Sequence, residues 1–171
     1  GHVGQFYALK NQEYLLSVLE DLVKRKTEAF LILVGDGEQR PYIEQKAKEL
    51  NIYERVIFTG ITDKVQDYMQ AMDVFAMPST HEGLPLVGVE AQAAGLPCIF
   101  SDVITREMKM TETVEFLPID IEASTWSEHI LKLYNSSDRE KGVKCIQEAG
   151  YDIKKNASKL LEFYYKVANG V

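Results

Sequence analysis

The stretch HEGLPLVGVEAQAAGLP, residues 81–97, places two glutamates and a proline in a run that is otherwise small and apolar. Pro85 is tolerated only in the first turn of a helix, so we predict a helix over 86–94. Glu82 then lies on the loop before this helix and Glu90 lies inside it. The small apolar neighbours of Glu90 predict a helix that is packed on all sides. A buried, unpaired carboxylate is costly, so we expect Glu90 to have partners.

Short apolar runs alternate along the chain with longer segments of helical period, which is typical of βαβ units and a mainly parallel sheet. We predict six strands, over 2–7, 29–34, 55–58, 73–77, 97–100 and 114–117. Helices or turns are predicted between them, over 12–26, 38–50, 65–72, 86–94 and 105–110. A helical tail is predicted over 126–134, 139–149 and 153–167. The expected fold is α/β, a Rossmann-like domain of three layers with a six-stranded sheet.

Apolar residues recur at three- and four-residue spacing in the first predicted helix and in the tail. The stripe of the first helix is predicted to face the core and consists of Tyr14, Leu15, Val18, Leu19, Leu22 and Val23. In the tail, Trp126, Tyr164 and Tyr165 stand at helical spacing. We predict that these three aromatic residues are core anchors.

Composition and charge exclude several classes of protein. The 171 residues are 46% apolar, enough for one well-buried domain over 1–171. A net charge of -7 disfavours binding to nucleic acid, which needs clustered cations. Cys98 and Cys145 lie far apart and outside any CxxC motif, so neither a disulfide framework nor a zinc site is predicted. The sequence has no membrane-spanning apolar stretch and no signal-peptide pattern, which predicts a cytoplasmic protein.

Glycines and polar residues follow the predicted strands at their carboxyl ends. In an open parallel sheet this edge binds ligands, because helix N-termini and loop amides converge there. Two interpretations of Glu82 and Glu90 are open on these grounds. Both carboxylates could form caps or ion pairs. Alternatively, Glu90 could accept hydrogen bonds from two adjacent sugar hydroxyls while the free amides of Leu86 and Val87 hold a diphosphate.

Residues 77–102 resemble the donor-binding half of GT-B glycosyltransferases of the retaining family 4, which includes bacterial capsule and exopolysaccharide enzymes. The family pattern consists of Pro-Ser, Glu-Gly-x-Pro, a second Glu, Ala-x-Ala-x-Gly-x-Pro and Ser/Thr-Asp. In this sequence these five parts lie, in that order, at 78–79, 82–85, 90, 91–97 and 101–102. The resemblance runs to about residue 117. The chain also lacks an initiator Met and begins almost within a strand, so we expect an N-terminal acceptor domain to be missing.

The resemblance implies specific roles for the acidic and basic residues of this edge. Glu82 would contact hydroxyls of the transferred sugar, and Glu90 would contact the nucleotide ribose. Lys10 would pair with the diphosphate. We therefore take Glu82 and Lys10 as the candidate catalytic residues and Glu90 as a substrate-binding residue.

The resemblance also implies which other residues surround the donor. The amides of the helix start would bind phosphate, and the backbone after the third strand would meet the base. The remaining candidate substrate-binding residues are Gly4, Gln5, Gly60, Ile61, Gly83, Leu84, Leu86 and Val87.

The reaction implied by the resemblance is glycosyl transfer from a nucleotide-diphosphate sugar, with retention, in surface polysaccharide biosynthesis. A UDP-sugar is the expected donor, and the acceptor is a saccharide or a lipid-linked saccharide. No cofactor and no bound metal ion are expected. An acceptor at the inner face of the membrane, reached through the missing domain, is one option.

One departure from the family pattern keeps alternatives open. Gln5 stands where the family commonly has an arginine, and glutamine offers hydrogen bonds but no charge. Arg106 and Lys64 are candidate compensating cations. The chain could therefore be a non-catalytic nucleotide-sugar-binding module. A nucleotide-sugar epimerase of the same architecture is a separate alternative. A dehydrogenase is disfavoured because no glycine fingerprint follows the first strand.

Overall fold

The computed structural model describes residues 1–134, 136 and 139–169. Among these residues, six strands form two three-stranded sheets in which every neighbouring pair is parallel. The strands are β1 (His2–Val3), β2 (Leu31–Val34), β3 (Val56–Gly60), β4 (Phe75–Met77), β5 (Cys98–Ser101) and β6 (Val114–Leu117). The expected α/β class and parallel pairing are confirmed.

The two sheets meet at β1 and β4. One sheet has the order β1-β2-β3 and the other has the order β4-β5-β6. Ala76 N donates to Gly1 O at 2.9 Å, and the imidazole of His2 lies 2.9 Å from Ala76 O through Nδ1. The strands therefore follow one another in space as β3, β2, β1, β4, β5 and β6. Because β1 is only two residues long, its contact with β4 does not extend into a continuous ladder.

The first strand is shorter than the predicted span of 2–7. After Val3 the chain forms one more hydrogen bond with the end of β2, since Gly4 N donates to Val34 O at 2.9 Å. It then turns into a short 3₁₀ segment at Ala8–Lys10. Asn11 adopts a left-handed conformation with φ 54°, which redirects the chain into the first helix.

Seven α-helices accompany the strands within the described residues. Their bounds are α1 (Gln12–Lys24), α2 (Arg40–Glu49), α3 (Val65–Ala71), α4 (Leu86–Ala93), α5 (Ala123–Leu133), α6 (Gly142–Glu148) and α7 (Ile153–Ala168). Short 3₁₀ segments occur at Tyr53–Arg55 and Arg106–Met108, the second within the weak helical span predicted over 105–110. None of the described helices is both long and apolar enough to cross a membrane.

Two hydrophobic clusters lie on opposite faces of the strands and give the fold its three layers. One cluster joins α1, α2 and α5 to residues such as Leu33 and Ile99. The other joins α3, α4 and α6 to residues such as Phe75 and Phe100. Neighbouring residues of one strand enter different clusters, as expected for strands that are covered on both faces. The predicted three-layer arrangement is confirmed.

The aromatic residues predicted as core anchors divide into two groups. Trp126 is fully buried, its Nε1 donates to Pro118 O at 2.8 Å, and its ring meets Tyr14 edge to face. The prediction is wrong for Tyr164 and Tyr165, which are both exposed on α7. No residue of α7 is buried, so its apolar stripe has no partner among the described residues.

Candidate functional site

The loops at the carboxyl ends of four neighbouring strands are hydrogen-bonded to one another. The loop after β1 contacts the loop after β2, since Phe6 N donates to Asp36 O at 3.0 Å. The loop after β2 contacts β3, since Gly35 N donates to Gly60 O at 3.1 Å. On the other side, Thr80 N donates to Leu9 O at 2.9 Å, which joins the loops after β4 and β1. The candidate residues therefore line one continuous crevice edge.

Lys10 and Glu82, the two candidate catalytic residues, form an ion pair across the junction of the two sheets. Lys10 Nζ lies 2.5 Å from Glu82 Oε1. Their side chains are 24% and 13% exposed, so the pair is largely shielded but can still be reached from the crevice. Residues 72 positions apart thus meet at one point, with one charge supplied by each half of the fold. Charge-assisted contacts of this kind are stronger than neutral hydrogen bonds.

Gly4 and His2 lie next to the Lys10 side chain of this pair. A Cβ at Gly4 would lie 3.1 Å from His2 Nε2 and 3.6 Å from the aliphatic stem of Lys10, so glycine gives the stem room. His2 Nε2 is buried and has no hydrogen-bond partner among the described residues. Burial lowers the pKa of His2 to about 4, so the imidazole is neutral at pH 7. Sequence reasoning missed His2, because a polar residue in a short apolar strand carries no further signal.

The start of α4 presents backbone amides at the crevice. Gly88 N donates to Pro85 O at 2.9 Å, which leaves the amides of Leu86 and Val87 ahead of the first helical hydrogen bond. Leu84 and Leu86 are exposed. A Cβ at Gly83 would meet no atom within 4 Å, so this part of the loop is open. The predicted helix start at Leu86 is confirmed.

The prediction that Glu90 is buried in a helix packed on all sides is wrong. Glu90 is exposed, and no described residue forms an ion pair with it. The helix buries only one face, through Gly88, Val89 and Ala91, against β4, β5 and α6. Leu86 lies one turn before Glu90 on the uncovered face. Glu90 is therefore available to a ligand without first breaking an internal contact.

Gln92 is the buried polar residue of α4. Its side-chain nitrogen donates to Gly88 O at 3.1 Å and Met108 O at 2.8 Å. Its side-chain oxygen accepts from Met110 N and Thr111 N, both at 3.1 Å. Gln92 thus fastens the end of α4 to the segment after β5. A glutamine between alanines gave no sign of this role in the sequence.

The remaining candidate residues lie along the same edge. Gln5 is exposed, and its backbone oxygen accepts from Gln12 Nε2 at 2.9 Å. Gly60 adopts φ +71°, which favours glycine, and Ile61 is 89% exposed. Arg106, one of the candidate compensating cations, holds its guanidinium 4.2 Å from the centroid of the Phe116 ring. No described contact joins Arg106 to Gln5.

Comparison of the sequence with known proteins identifies relatives among glycosyltransferases. Residues 1–136 match the family described as Glycosyl transferases group 1. The chain is 38% identical over 167 residues to the putative glycosyltransferase EpsF of Bacillus subtilis (strain 168), a match that covers 96% of this chain and 44% of the relative. It is 31% identical over 104 residues to the UDP-Gal:alpha-D-GlcNAc-diphosphoundecaprenol alpha-1,3-galactosyltransferase of Escherichia coli, covering 59% and 27%. The chain spans less than half the length of either relative.

Solved structures show the same fold. Anabaena Alr3699/HepE in complex with UDP aligns with a TM-score of 0.77 at 21% identity, covering 97% of this chain and 48% of that one. Sucrose-phosphate synthase from Thermosynechococcus elongatus aligns with a TM-score of 0.81 at 24% identity, covering 99% and 46%. These alignments confirm the GT-B architecture expected from the sequence. With the family match over 1–136, they establish that this chain belongs to the group 1 glycosyl transferases.

Proposed function

We propose that this domain binds the nucleotide-diphosphate sugar of a glycosyltransferase that takes part in polysaccharide biosynthesis. Lys10 pairs with the diphosphate, Glu82 binds hydroxyls of the transferred sugar and Glu90 binds the ribose. The amides of Leu86 and Val87 bind phosphate oxygens. Its relatives include a named galactosyltransferase whose donor is UDP-Gal, and the structural neighbour Alr3699/HepE binds UDP, which supports a UDP-sugar as the donor.

The observation that carries this proposal is the contact between Lys10 and Glu82 beside the start of α4. A cation, a carboxylate and free helix amides are the groups that a diphosphate and a sugar together require. In the free protein the two side chains neutralise each other. A donor would take the place of each partner, since its diphosphate would engage Lys10 while its sugar hydroxyls engage Glu82.

Calorimetric titration with UDP, GDP and ADP, each with and without a sugar, tests the proposal. We expect one of these nucleotides to bind, and to raise the thermal stability in proportion to its occupancy. Lys10→Met should weaken binding by roughly 10- to 100-fold, the loss expected for a hydrogen bond to a charged group. Binding of none of these compounds would overturn the proposed function.

Lys24 provides a matched control for Lys10. Both lysines pair with a glutamate, but Lys24 Nζ contacts Glu20 Oε1 at 2.8 Å at the far end of α1 from the crevice. Lys24→Met should leave nucleotide affinity unchanged. Equal losses in the two variants would show that the effect of Lys10 is not local to a diphosphate site, and would count against the proposal.

We also propose that the transfer proceeds with retention, as the resemblance to the retaining family 4 implies. Donor binding needs no metal ion, because Lys10 and the start of α4 supply positive charge to the diphosphate. Addition of a chelator should then leave the affinity for UDP unchanged. We further propose that this domain binds donor but transfers almost no sugar without an acceptor domain, in keeping with its span of 44% of EpsF. Turnover by the 171 residues alone would contradict that statement.

A further inference from the structure

An ion pair between Asp36 and Arg40 lies at the carboxyl ends of β2 and β3. Arg40 Nη1 donates to Asp36 Oδ2 at 2.9 Å, and Arg40 Nε donates to Glu44 Oε1 at 2.8 Å. The guanidinium also lies over the ring of Phe58, 5.8 Å from its centroid. These contacts hold the guanidinium in one orientation and use only part of its N–H donors. Its side chain remains 26% exposed.

Asp36 presents an acceptor beside this donor. Its Oδ1 accepts from Gly37 N at 2.8 Å, and its side chain is 41% exposed. The Gly37 amide and then the Arg40 guanidinium hold the pKa of Asp36 below its ordinary value, so the carboxylate is ionised at pH 7. A fixed hydrogen-bond donor and a fixed acceptor therefore stand next to each other at the crevice edge.

Gly60 leaves this pair uncovered. A Cβ at position 60 would lie 3.4 Å from Arg40 Nη1 and 4.0 Å from Asp36 Oδ2, so a larger residue would pack against the pair. The neighbouring Ile61 is 89% exposed and offers an apolar surface next to the pair. A planar ring could lie on Ile61 while its polar edge faced Asp36 and Arg40.

We propose that the Asp36–Arg40 pair reads the edge of the nucleotide base and selects a carbonyl oxygen beside a ring N–H, the pattern that uracil and guanine share. The guanidinium donates to the carbonyl and the carboxylate accepts from the ring N–H. Cytosine and adenine reverse this order, because they carry an amino group beside a ring-nitrogen acceptor. The inference rests on the proposed function and on the expectation that the backbone at Gly60 and Ile61 meets the base.

The test compares nucleotides of equal ring size by calorimetry, UDP against CDP and GDP against ADP. The wild-type protein should prefer the first member of whichever pair it binds by about 10- to 100-fold, as expected for a two-bond contact to a base edge. Arg40→Gln should bring this ratio to within about 3-fold, mainly by weakening the preferred nucleotide, because glutamine can donate or accept. Asp36→Asn places a donor where the carboxylate accepts and should lower the ratio independently.

Arg55 is the matched control at the opposite end of β3. It pairs with Glu28 at 3.1 Å and lies 5.0 Å from the centroid of the Phe30 ring, so it repeats the chemistry of Arg40 away from the crevice. Arg55→Gln should leave the ratio unchanged. If the wild-type protein binds none of the four nucleotides, the proposed function itself fails. If it binds them without distinguishing within a pair, or if Arg40→Gln and Asp36→Asn keep the ratio while all affinities fall together, the inference alone is overturned.

Discussion

Glu90 is exposed on α4, one turn after the free amides at the start of the helix. Since no described residue forms an ion pair with it, its substitution should change binding without changing stability. We predict that Glu90→Gln weakens the affinity for UDP by about 10-fold, the effect of one weakened charge-assisted hydrogen bond to the ribose. The midpoint of thermal unfolding should not move. An affinity within error of the wild type would remove Glu90 from the site. Glu148→Gln, at an exposed position of α6, is the control.

Gln5 offers a second test at the level of single residues, because it is exposed beside the proposed diphosphate site. Gln5→Arg adds a positive charge there, so we predict that the affinity for UDP rises by about 10-fold and becomes more sensitive to salt. Gln147→Arg adds the same charge on an exposed position of α6 and should have no effect. If both variants tighten binding equally, the gain comes from net charge and not from a contact with the diphosphate.

Glu90 and Gln92 show what the sequence could and could not predict about single residues. Pro85 correctly placed Glu82 before the helix and Glu90 within it. The small residues around Glu90 wrongly suggested burial, because small apolar side chains show that one face packs closely but not how many faces are covered. The side chain of Gln92 forms hydrogen bonds with four residues up to 19 positions away, a convergence that no local pattern reveals.

Helices with a strong hydrophobic period were predicted well, but the surfaces against which they pack were not. The stripe of α1 packs in the core as its period indicated. The stripe of α7 has an equally clear period, yet Leu160, Leu161 and Tyr164 are all exposed. Helical periodicity identifies an apolar face, but it contains no information about which surface covers that face. The first strand was predicted too long because Phe6 is apolar and buried like a strand residue, although the strand pairing ends at Val3.

The attachment of α4 to the segment after β5 depends on Gln92, which gives a prediction about stability at the level of elements. Gln92→Leu leaves Met110 N and Thr111 N without their acceptor and Met108 O without a donor. We predict that the free energy of unfolding in urea falls by roughly 2–3 kcal/mol, the cost of unsatisfied polar groups in a largely buried setting. Gln45→Leu is the control, because Gln45 is exposed and its side-chain nitrogen donates to Glu49 Oε1 at 3.2 Å. Equal losses in both variants would contradict the role of Gln92.

The whole molecule consists of two sheet halves that the proposed donor would bridge, since Lys10 belongs to one half and Glu82 to the other. The reactivity of Cys98 measures the opening of the half that contains β4, β5 and β6, because Cys98 lies in β5 and is fully buried. Burial also raises the pKa of its thiol. A thiol reagent can reach Cys98 only when this half opens, and an opened half cannot hold the donor.

We therefore predict that UDP at 100 times its dissociation constant slows the modification of Cys98 by on the order of 100-fold, since only the closed state binds the ligand. Mass spectrometry should follow Cys98 and Cys145 separately. Cys145 is only half-buried on α6, so its modification should be nearly independent of UDP. Unchanged modification of Cys98 at a UDP concentration that saturates the protein by calorimetry would show that the ligand contacts only the β1–β3 half. In that case Glu82 and the start of α4 would lie outside the binding site.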